Sequence, residues 1–345
     1  MIKKALLLCL AWTFWSAGQA ATLTFIGGIS YWDNPANWDL GFVPTAGDFV
    51  IIPAGQKVGI PGGYAAMAKR VEVSGGLFVL GTLTVDGSAG DGILFDSGRL
   101  DNRGTIIINN SSLDGIHAIN GSRLKCRTNG SITVNSTGDD GIELAGNSIM
   151  LHQGLIEVKG PNPDDGFVCG GTLLVGPSAT LSVEDSTDDG FEITGRFENY
   201  GFMVASSGIG DDGMLINSTQ TSINRSDATM EFKQAGDKSV YVFDGTLVNE
   251  INALIEAYDY GWASGFGSGV FVGGVGTTGV FHNFGKALFR DAPSGIANGV
   301  HVYSSGLVIN EGPSLIQNVN LSGSGAYLVS TGELRNLNGA QFVIE

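Results

Sequence analysis

Pairs of aspartates, each followed by glycine, recur at intervals of 23 to 25 residues in the middle of the chain. The four pairs are Asp139/Asp140, Asp164/Asp165, Asp188/Asp189 and Asp211/Asp212. If the pairs stack about 4.8 Å apart on successive coils of a solenoid, their charges repel one another. Carboxylate oxygens are the ligands that Ca²⁺ prefers, so the pattern predicts a Ca²⁺ site along this row. The alternative is that each Asp-Gly only makes a turn, which accounts for one acid of each pair.

A row of ring-bearing side chains occupies one position of the last four repeats: Tyr241, Phe271, His301 and Tyr327. Each lies between two apolar residues of an alternating strand, so we expect all four to point outward and to stack. An exposed row of rings is typical of a surface that binds a polysaccharide or a cell-surface glycan. The alternative is that the rings only pack on one another, or lie under loops of the two 30-residue repeats at 239–299.

Paired carboxylates also serve glycosidases, and the segments 162–166 and 187–190 are similar to the aspartate motifs of polygalacturonases. A catalytic pair should occur once, however, and this signature occurs on four consecutive repeats. The Gly-His-Gly and Arg-x-Lys motifs of that family are absent from the sequence. A polysaccharide lyase or glycoside hydrolase stays as the alternative function, and we assign no catalytic residue.

Both rows are carried by one repeat, which reads as a turn residue, then glycine or serine, then an apolar-x-apolar strand. Its ten copies are marked by Gly92, Gly115, Gly141, Gly166, Gly190, Gly213, Ser239, Gly269, Gly299 and Gly325. An Asn or Gly corner recurs about half a repeat later, as at Asn199/Gly201 and Asn310/Gly312. Short strands at this period, without a helical pattern, predict an all-β fold, a right-handed parallel β-helix of about ten coils. The residues between the two apolar positions should face outward.

Residues 21–86 depart from this repeat, and we assign them to an N-terminal cap with the first irregular coils. Trp32 and Trp38 are expected to cover the open end of the core there, with sugar stacking as the alternative role. The repeats themselves are assigned to residues 87–345. The chain stops inside a strand pattern at 342–345, which predicts further repeats or an assembly at that end.

The first 20 residues have the pattern of a signal peptide, with cleavage after Ala20. Lys3 and Lys4 precede a short apolar run at 5–15, and small residues follow it. No later stretch is apolar enough to span a membrane. The net charge of −16 over 345 residues excludes nucleic acid as a natural partner. We therefore expect a protein that is secreted or held on the outer cell surface.

The segment 32–55 resembles the opening of large secreted bacterial surface proteins, on the residues Trp32-x-Asn34, Asn37-Trp38, Pro44 and Asp48-x-Val50-x-Ile52-Pro53-x-Gly55. The coils that follow resemble the right-handed β-helix repeats of the pectate-lyase-like superfamily. The resemblance implies the fold. It implies less about function, since the superfamily includes lyases, glycosidases and adhesins. The function expected is a structural or adhesive surface module.

Overall fold

The computed structural model describes residues 20–160, 163–261, 266–292 and 296–345. The signal-peptide prediction for residues 1–20 therefore lies outside the described residues, apart from Ala20. Among the described residues, no helix is both long enough and apolar enough to cross a bilayer. A single short 3-10 helix, Pro35–Asn37, accompanies the strands there.

The strands are numbered in chain order. The first twelve are β1 Thr22–Thr24, β2 Ile29–Tyr31, β3 Phe49–Ile52, β4 Lys57–Ile60, β5 Ala65–Ala68, β6 Arg70–Val73, β7 Gly76–Val79, β8 Thr82–Asp86, β9 Ile93–Asp96, β10 Arg99–Asn102, β11 Thr105–Ser111 and β12 Ile116–Ile119. The next twelve are β13 Arg123–Cys126, β14 Ser131–Thr137, β15 Ile142–Leu144, β16 Ile149–His152, β17 Leu155–Lys159, β18 Phe167–Cys169, β19 Thr172–Val175, β20 Thr180–Glu184, β21 Phe191–Ile193, β22 Arg196–Asn199, β23 Phe202–Ser206 and β24 Met214–Asn224. The last twelve are β25 Thr229–Lys233, β26 Lys238–Asn249, β27 Leu254–Tyr258, β28 Phe266–Val272, β29 Gly279–Asn283, β30 Lys286–Arg290, β31 Ile296–Tyr303, β32 Leu307–Glu311, β33 Leu315–Val319, β34 Ala326–Val329, β35 Glu333–Leu337 and β36 Gln341–Ile344.

Each coil contributes one strand to each of three parallel stacks. The first stack contains β1, β3, β6, β9, β12, β15, β18, β21, the starts of β24 and β26, β28, β31 and β34. The second contains β2, β4, β7, β10, β13, β16, β19, β22, the ends of β24 and β26, β29, β32 and β35. The third contains β5, β8, β11, β14, β17, β20, β23, β25, β27, β30, β33 and β36. The strands β24 and β26 run through the corner between the first two stacks and join them into one sheet.

These stacks confirm the predicted parallel β-solenoid, while its right-handed winding stays a prediction. The third stack has 12 strands, so the described chain makes about twelve coils rather than about ten. The difference arises because regular three-strand coils begin at Phe49, within the segment that the sequence analysis assigned to the cap and the first irregular coils. Residues 49–86 lack the Asp-Gly mark, so these coils were not counted among the ten repeats.

The predicted alternation of inward and outward strand residues determines which side chains form the core. Ile142, Leu144 and Phe191 have no exposed side-chain surface, and their equivalents are buried in every coil but the last. Leu328 is 49% exposed because no coil of this chain stacks on the last one. The buried rows are apolar and largely β-branched or aromatic, which suits the pleated strand surface and supplies the main driving force for folding.

Two tryptophans are buried in the segment that the sequence assigns to the N-terminal cap. Trp32 and Trp38 are buried and pack edge to face, with ring centroids 5.0 Å apart. The Trp38 indole N–H donates to the carbonyl oxygen of Trp32 at 2.8 Å, so that polar group is satisfied inside the cap. Because both indoles are buried, neither presents a ring face for a sugar to stack on.

A ladder of asparagine amides, buried in every member but the last, runs along the corner after the second stack. Its members are Asn199, Asn224, Asn249, Asn283, Asn310 and Asn336. Each Nδ2 donates to the Oδ1 of the next member at 2.7–2.9 Å. A buried amide without a hydrogen-bond partner would cost stability. The ladder therefore favours the register in which each asparagine stacks on the next.

Candidate binding sites on the first strand stack

The four predicted ring residues form one row on the first stack. Tyr241 is in register with Phe271, Phe271 with His301, and His301 with Tyr327. Neighbouring ring centroids are 4.9, 4.3 and 5.0 Å apart, and each pair packs edge to face. This packing is the arrangement that aromatic quadrupoles favour. The first three rings are partly buried and Tyr327 is 49% exposed, so the row stabilises itself and still presents surface.

A pocket of about 370 Å³ lies beside this row. Phe271, His301 and Tyr327 line it on one side. Its polar lining consists of Asp237, Lys238, Ser268, Asn298 and Ser324. Rings beside convergent donors and acceptors are the usual composition of a site for a small polar molecule. The polar residues come from the position that carries the aspartates in earlier coils, which the sequence analysis did not connect with the rings.

Lys238 and His301 set the electrostatics of the pocket. The Lys238 ammonium lies 4.7 Å from the Tyr241 ring centroid and 5.6 Å from that of Phe271. Burial, with a smaller contribution from Lys238, lowers the pKa of His301 below its usual value. The imidazole is therefore neutral at pH 7. Its Nε2 atom is buried and has no hydrogen-bond partner among the described residues.

The second aspartate of each pair is part of the coil stacking. Each of these carboxylates accepts the backbone N–H of the equivalent residue in the next coil, at 2.9–3.1 Å. The series runs from Asp114 through Asp140, Asp165, Asp189 and Asp212 to the N–H of Lys238. We call these five carboxylates the inner aspartate row. The turn explanation expected each carboxylate to bond within its own turn. The structure shows that it bonds to the neighbouring coil.

The glycine after each inner aspartate lies where there is no room for a side chain. A Cβ on Gly141 would lie 2.3 Å from Val158 Cγ1 and 2.4 Å from the Gly166 carbonyl oxygen, closer than real Cβ contacts. The corner therefore packs directly on the third stack and on the next coil. This close approach buries the aspartate that precedes the glycine.

Burial raises the pKa of every carboxyl group in the inner aspartate row. Desolvation is the largest cause in each case, and neighbouring carboxylates add to it for most members. The pKa rises to about 7 for Asp114, Asp165 and Asp212, to about 8 for Asp140 and to about 9 for Asp189. The inner aspartate row therefore holds protons near neutral pH.

The first aspartates of the pairs, Asp139, Asp164, Asp188 and Asp211, form an outer row beside the inner one. Two three-carboxylate groups bring ligand oxygens within 4.8 Å of one another along the rows. These groups are Asp114/Asp139/Asp140 and Asp188/Asp189/Asp211. A third group joins Asp211 and Asp212 to Asp237. Among the described residues, no such group includes Asp164 or Asp165, so the eight predicted ligands divide into separate clusters.

Cationic side chains neutralise both ends of the inner aspartate row. Lys238 Nζ lies 3.3 Å from Asp212 and 2.6 Å from Asp237. At the other end, His117 lies 3.3 Å from Asp114 and 2.9 Å from Glu143. The pKa of His117 is raised to about 10, first by hydrogen bonding to the carboxylates of Asp91 and Glu143, which accept from the ring, and then by the charges of Glu143 and Asp114. The sequence analysis did not assign His117 a role. In the described structure, the aspartates of the two rows from Asp139 to Asp189 have no Lys, Arg or His partner within ion-pair distance.

Comparisons with known proteins add little to this chain. No family model matches it, and no curated protein matches it. A similar solved structure is the crystal structure of a TibC-catalyzed, hyper-glycosylated TibA fragment. The two share 15% sequence identity over 95% of each chain, with a TM-score of 0.25. At this identity and TM-score the likeness bears on neither the mechanism nor the ligand of the chain.

Proposed function

We propose that this chain is a secreted or cell-surface structural and adhesive β-helix module, of the adhesin type within the pectate-lyase-like superfamily. It binds a glycan along the row Tyr241–Phe271–His301–Tyr327 and Ca²⁺ along the aspartate rows. The observation that carries the proposal is the pocket of about 370 Å³, which places three of the four rings beside convergent polar groups.

A saccharide suits the pocket because it needs both an aromatic surface and polar groups. The C–H face of a pyranose packs on an aromatic ring, and its hydroxyls need paired donors and acceptors. Tyr327 offers the exposed ring surface, while Asn298 and Ser324 offer polar atoms. Because a solenoid repeats such rings and polar groups along its axis, the row suits an extended glycan chain better than a single sugar.

Replacing Tyr241 and Tyr327 together by Ala should weaken retention on a glycan array by about tenfold or more, because both stacking contacts are lost. The matched control is Tyr200→Ala, since Tyr200 is 40% exposed and lies directly after β22 of the second stack, away from the ring row. Circular dichroism should show an unchanged strand content in both variants. A wild-type protein that binds no glycan, or a double variant that binds as well as the control, contradicts the glycan proposal.

Calcium suits the stretch of the aspartate rows that has no protein cation beside it. Ca²⁺ accepts irregular sets of carboxylate and carbonyl oxygens, and its charge offsets the repulsion between neighbouring acids. It competes with protons here, because burial already raises the pKa of the inner carboxyls. The best-placed cluster for the ion is Asp188/Asp189/Asp211, since none of its three carboxylates forms an ion pair with Lys238 in the described structure.

At pH 8 and low ionic strength, millimolar CaCl₂ should raise the melting temperature by about 5 °C over EDTA. The increment should shrink at pH 5, where protons occupy the inner row. Asp188→Asn should reduce the increment, whereas Asp227→Asn, at an exposed position outside the clusters, should leave it unchanged. Equal melting temperatures in EDTA and CaCl₂ at pH 8 would mean that the aspartate rows bind protons and backbone N–H groups but not Ca²⁺.

A further inference from the structure

Positive charge is concentrated on one face near the N-terminal end of this acidic chain. Six of the 18 lysines and arginines lie on strands β4, β10 and β13 of the second stack, or directly after them. They are Lys57, Arg99, Arg103, Arg123, Lys125 and Arg127. We call this surface the basic face. It stands out because the chain as a whole carries a net charge of −16.

Coil stacking brings these cations together. Arg99 is in register with Arg123 above it and with Gly76 below it, and Gly76 is in register with Lys57. Asp101 is likewise in register with Lys125. Successive coils lie about 4.8 Å apart, so the cations repeat at intervals close to the length of one sugar residue.

Most of the positive charge on the basic face is left unneutralised. Asp101 is the one carboxylate on β4, β7, β10, β13 and β16, and Arg127 holds it with two bonds of 3.0 and 2.9 Å. Arg103 lies 3.3 Å from the same carboxylate. Lys57, Arg99, Arg123 and Lys125 form no ion pair with any described residue.

Two adjoining hollows shape this surface. One, of about 220 Å³, is lined by Phe78, Arg99, Leu100, Asp101, Arg123 and Lys125. The other, of about 230 Å³, also has Phe78 and Arg99 in its lining and reaches Lys57. Gly76 keeps the second hollow open, because a Cβ there would lie 3.0 Å from the Phe78 ring. Phe78 is 39% exposed between the cations.

We infer that the basic face binds an anionic polysaccharide, a chain of sulfated or uronic sugars. The cations match acidic groups repeated once per sugar, and the Phe78 ring offers a surface on which a pyranose can pack. The site is separate from the ring row, which lies on the first stack at the other end of the solenoid. The acidic edge of a second copy is a poorer partner, because its inner carboxyls are buried and bonded within their own stack.

The test compares Arg99→Gln/Arg123→Gln with the matched control Lys69→Gln/Lys286→Gln, which removes the same charge elsewhere. Lys69 and Lys286 form no ion pair with described residues. Binding to dextran sulfate and to polygalacturonate is measured by titration at several salt concentrations, with neutral dextran as the reference polymer. We expect the wild type to bind the acidic polymers only, with an affinity that falls as salt rises. The Arg99→Gln/Arg123→Gln variant should bind them about tenfold more weakly or worse, and the control as the wild type does.

Each other outcome is decisive. Absence of wild-type binding to both acidic polymers at low salt overturns the inference, and so does equal weakening in the two double variants. Concentration-dependent dimerisation that the Arg99→Gln/Arg123→Gln variant abolishes, without polymer binding, would assign the basic face to a second copy instead. The Tyr241→Ala/Tyr327→Ala variant should keep its affinity for dextran sulfate, so failure of the glycan proposal is distinguishable from failure of this one.

Discussion

Phe191→Asp is expected to destabilise the protein by about 5 kcal/mol or more, enough to prevent folding of the central coils. Phe191 is fully buried, in register with Phe167 on one side and Met214 on the other. A carboxylate at this position has no partner in an apolar row. Because each coil stacks only on its neighbours, disruption of this coil also removes packing contacts that stabilise the coils next to it. Urea unfolding followed by circular dichroism measures the effect.

The matched control changes an outward residue of the same stack. Val168 lies between Glu143 and Glu192 in register, so Val168→Lys places a cation beside two acids. We expect the free energy of unfolding to change by no more than about 1 kcal/mol. Glu143→Lys is a poorer control, because Glu143 lies 2.9 Å from His117. Comparable losses from Phe191→Asp and Val168→Lys would mean that the assigned register is wrong.

Stability is expected to fall as pH rises from about 5 to 9 in EDTA. The carboxyls of Asp140 and Asp189 titrate near pH 4 in the unfolded chain, whereas burial raises their pKa to about 8 and about 9 in the folded protein. Between these values the folded state binds more protons, so the free energy of unfolding decreases with increasing pH. The contributions of the five carboxyls add, so the loss should exceed that of any single member of the row.

The histidines modify this profile in opposite directions. His117, whose pKa is raised to about 10, also contributes stability that is lost as the pH rises. Burial lowers the pKa of His152 to about 4, so its contribution is lost as the pH falls from about 6.5 towards 4. The loss from His152 therefore offsets only part of the stability that the inner aspartate row gains as the pH falls below about 6.5.

Urea unfolding at pH 5, 7 and 9 tests the profile in the wild type and in Asp189→Asn. The amide keeps an oxygen for the N–H of Asp212 but cannot ionise, so this variant should lose less stability between pH 5 and 9. Asp227→Asn, at an exposed position, should follow the wild type. A free energy of unfolding that stays constant or increases from pH 5 to 9 contradicts the assignment of protons to the inner row.

The sequence by itself determined the period, the inward and outward faces of the strands, and the register of the outward row. These follow from local rules, because alternation decides which face a side chain takes and the Asp-Gly mark aligns successive coils. That is why Tyr241, Phe271, His301 and Tyr327 could be placed in one row before any coordinates. The same rules gave only irregular coils, without a register, at 49–86, because the strands there alternate without the mark.

Only the tertiary structure decided what the stacked side chains do to one another. The sequence indicated an acid at each turn. The structure adds the close approach of the coils at Gly141 and its equivalents, and the resulting burial raises the pKa of the inner carboxyls. Lys57, Arg99 and Arg123 are far apart in the chain and meet only because parallel coils stack in register. A pattern along one strand carries no information about the desolvation or the charge that its neighbours in space impose. Those depend on distances across coils, which the fold alone sets.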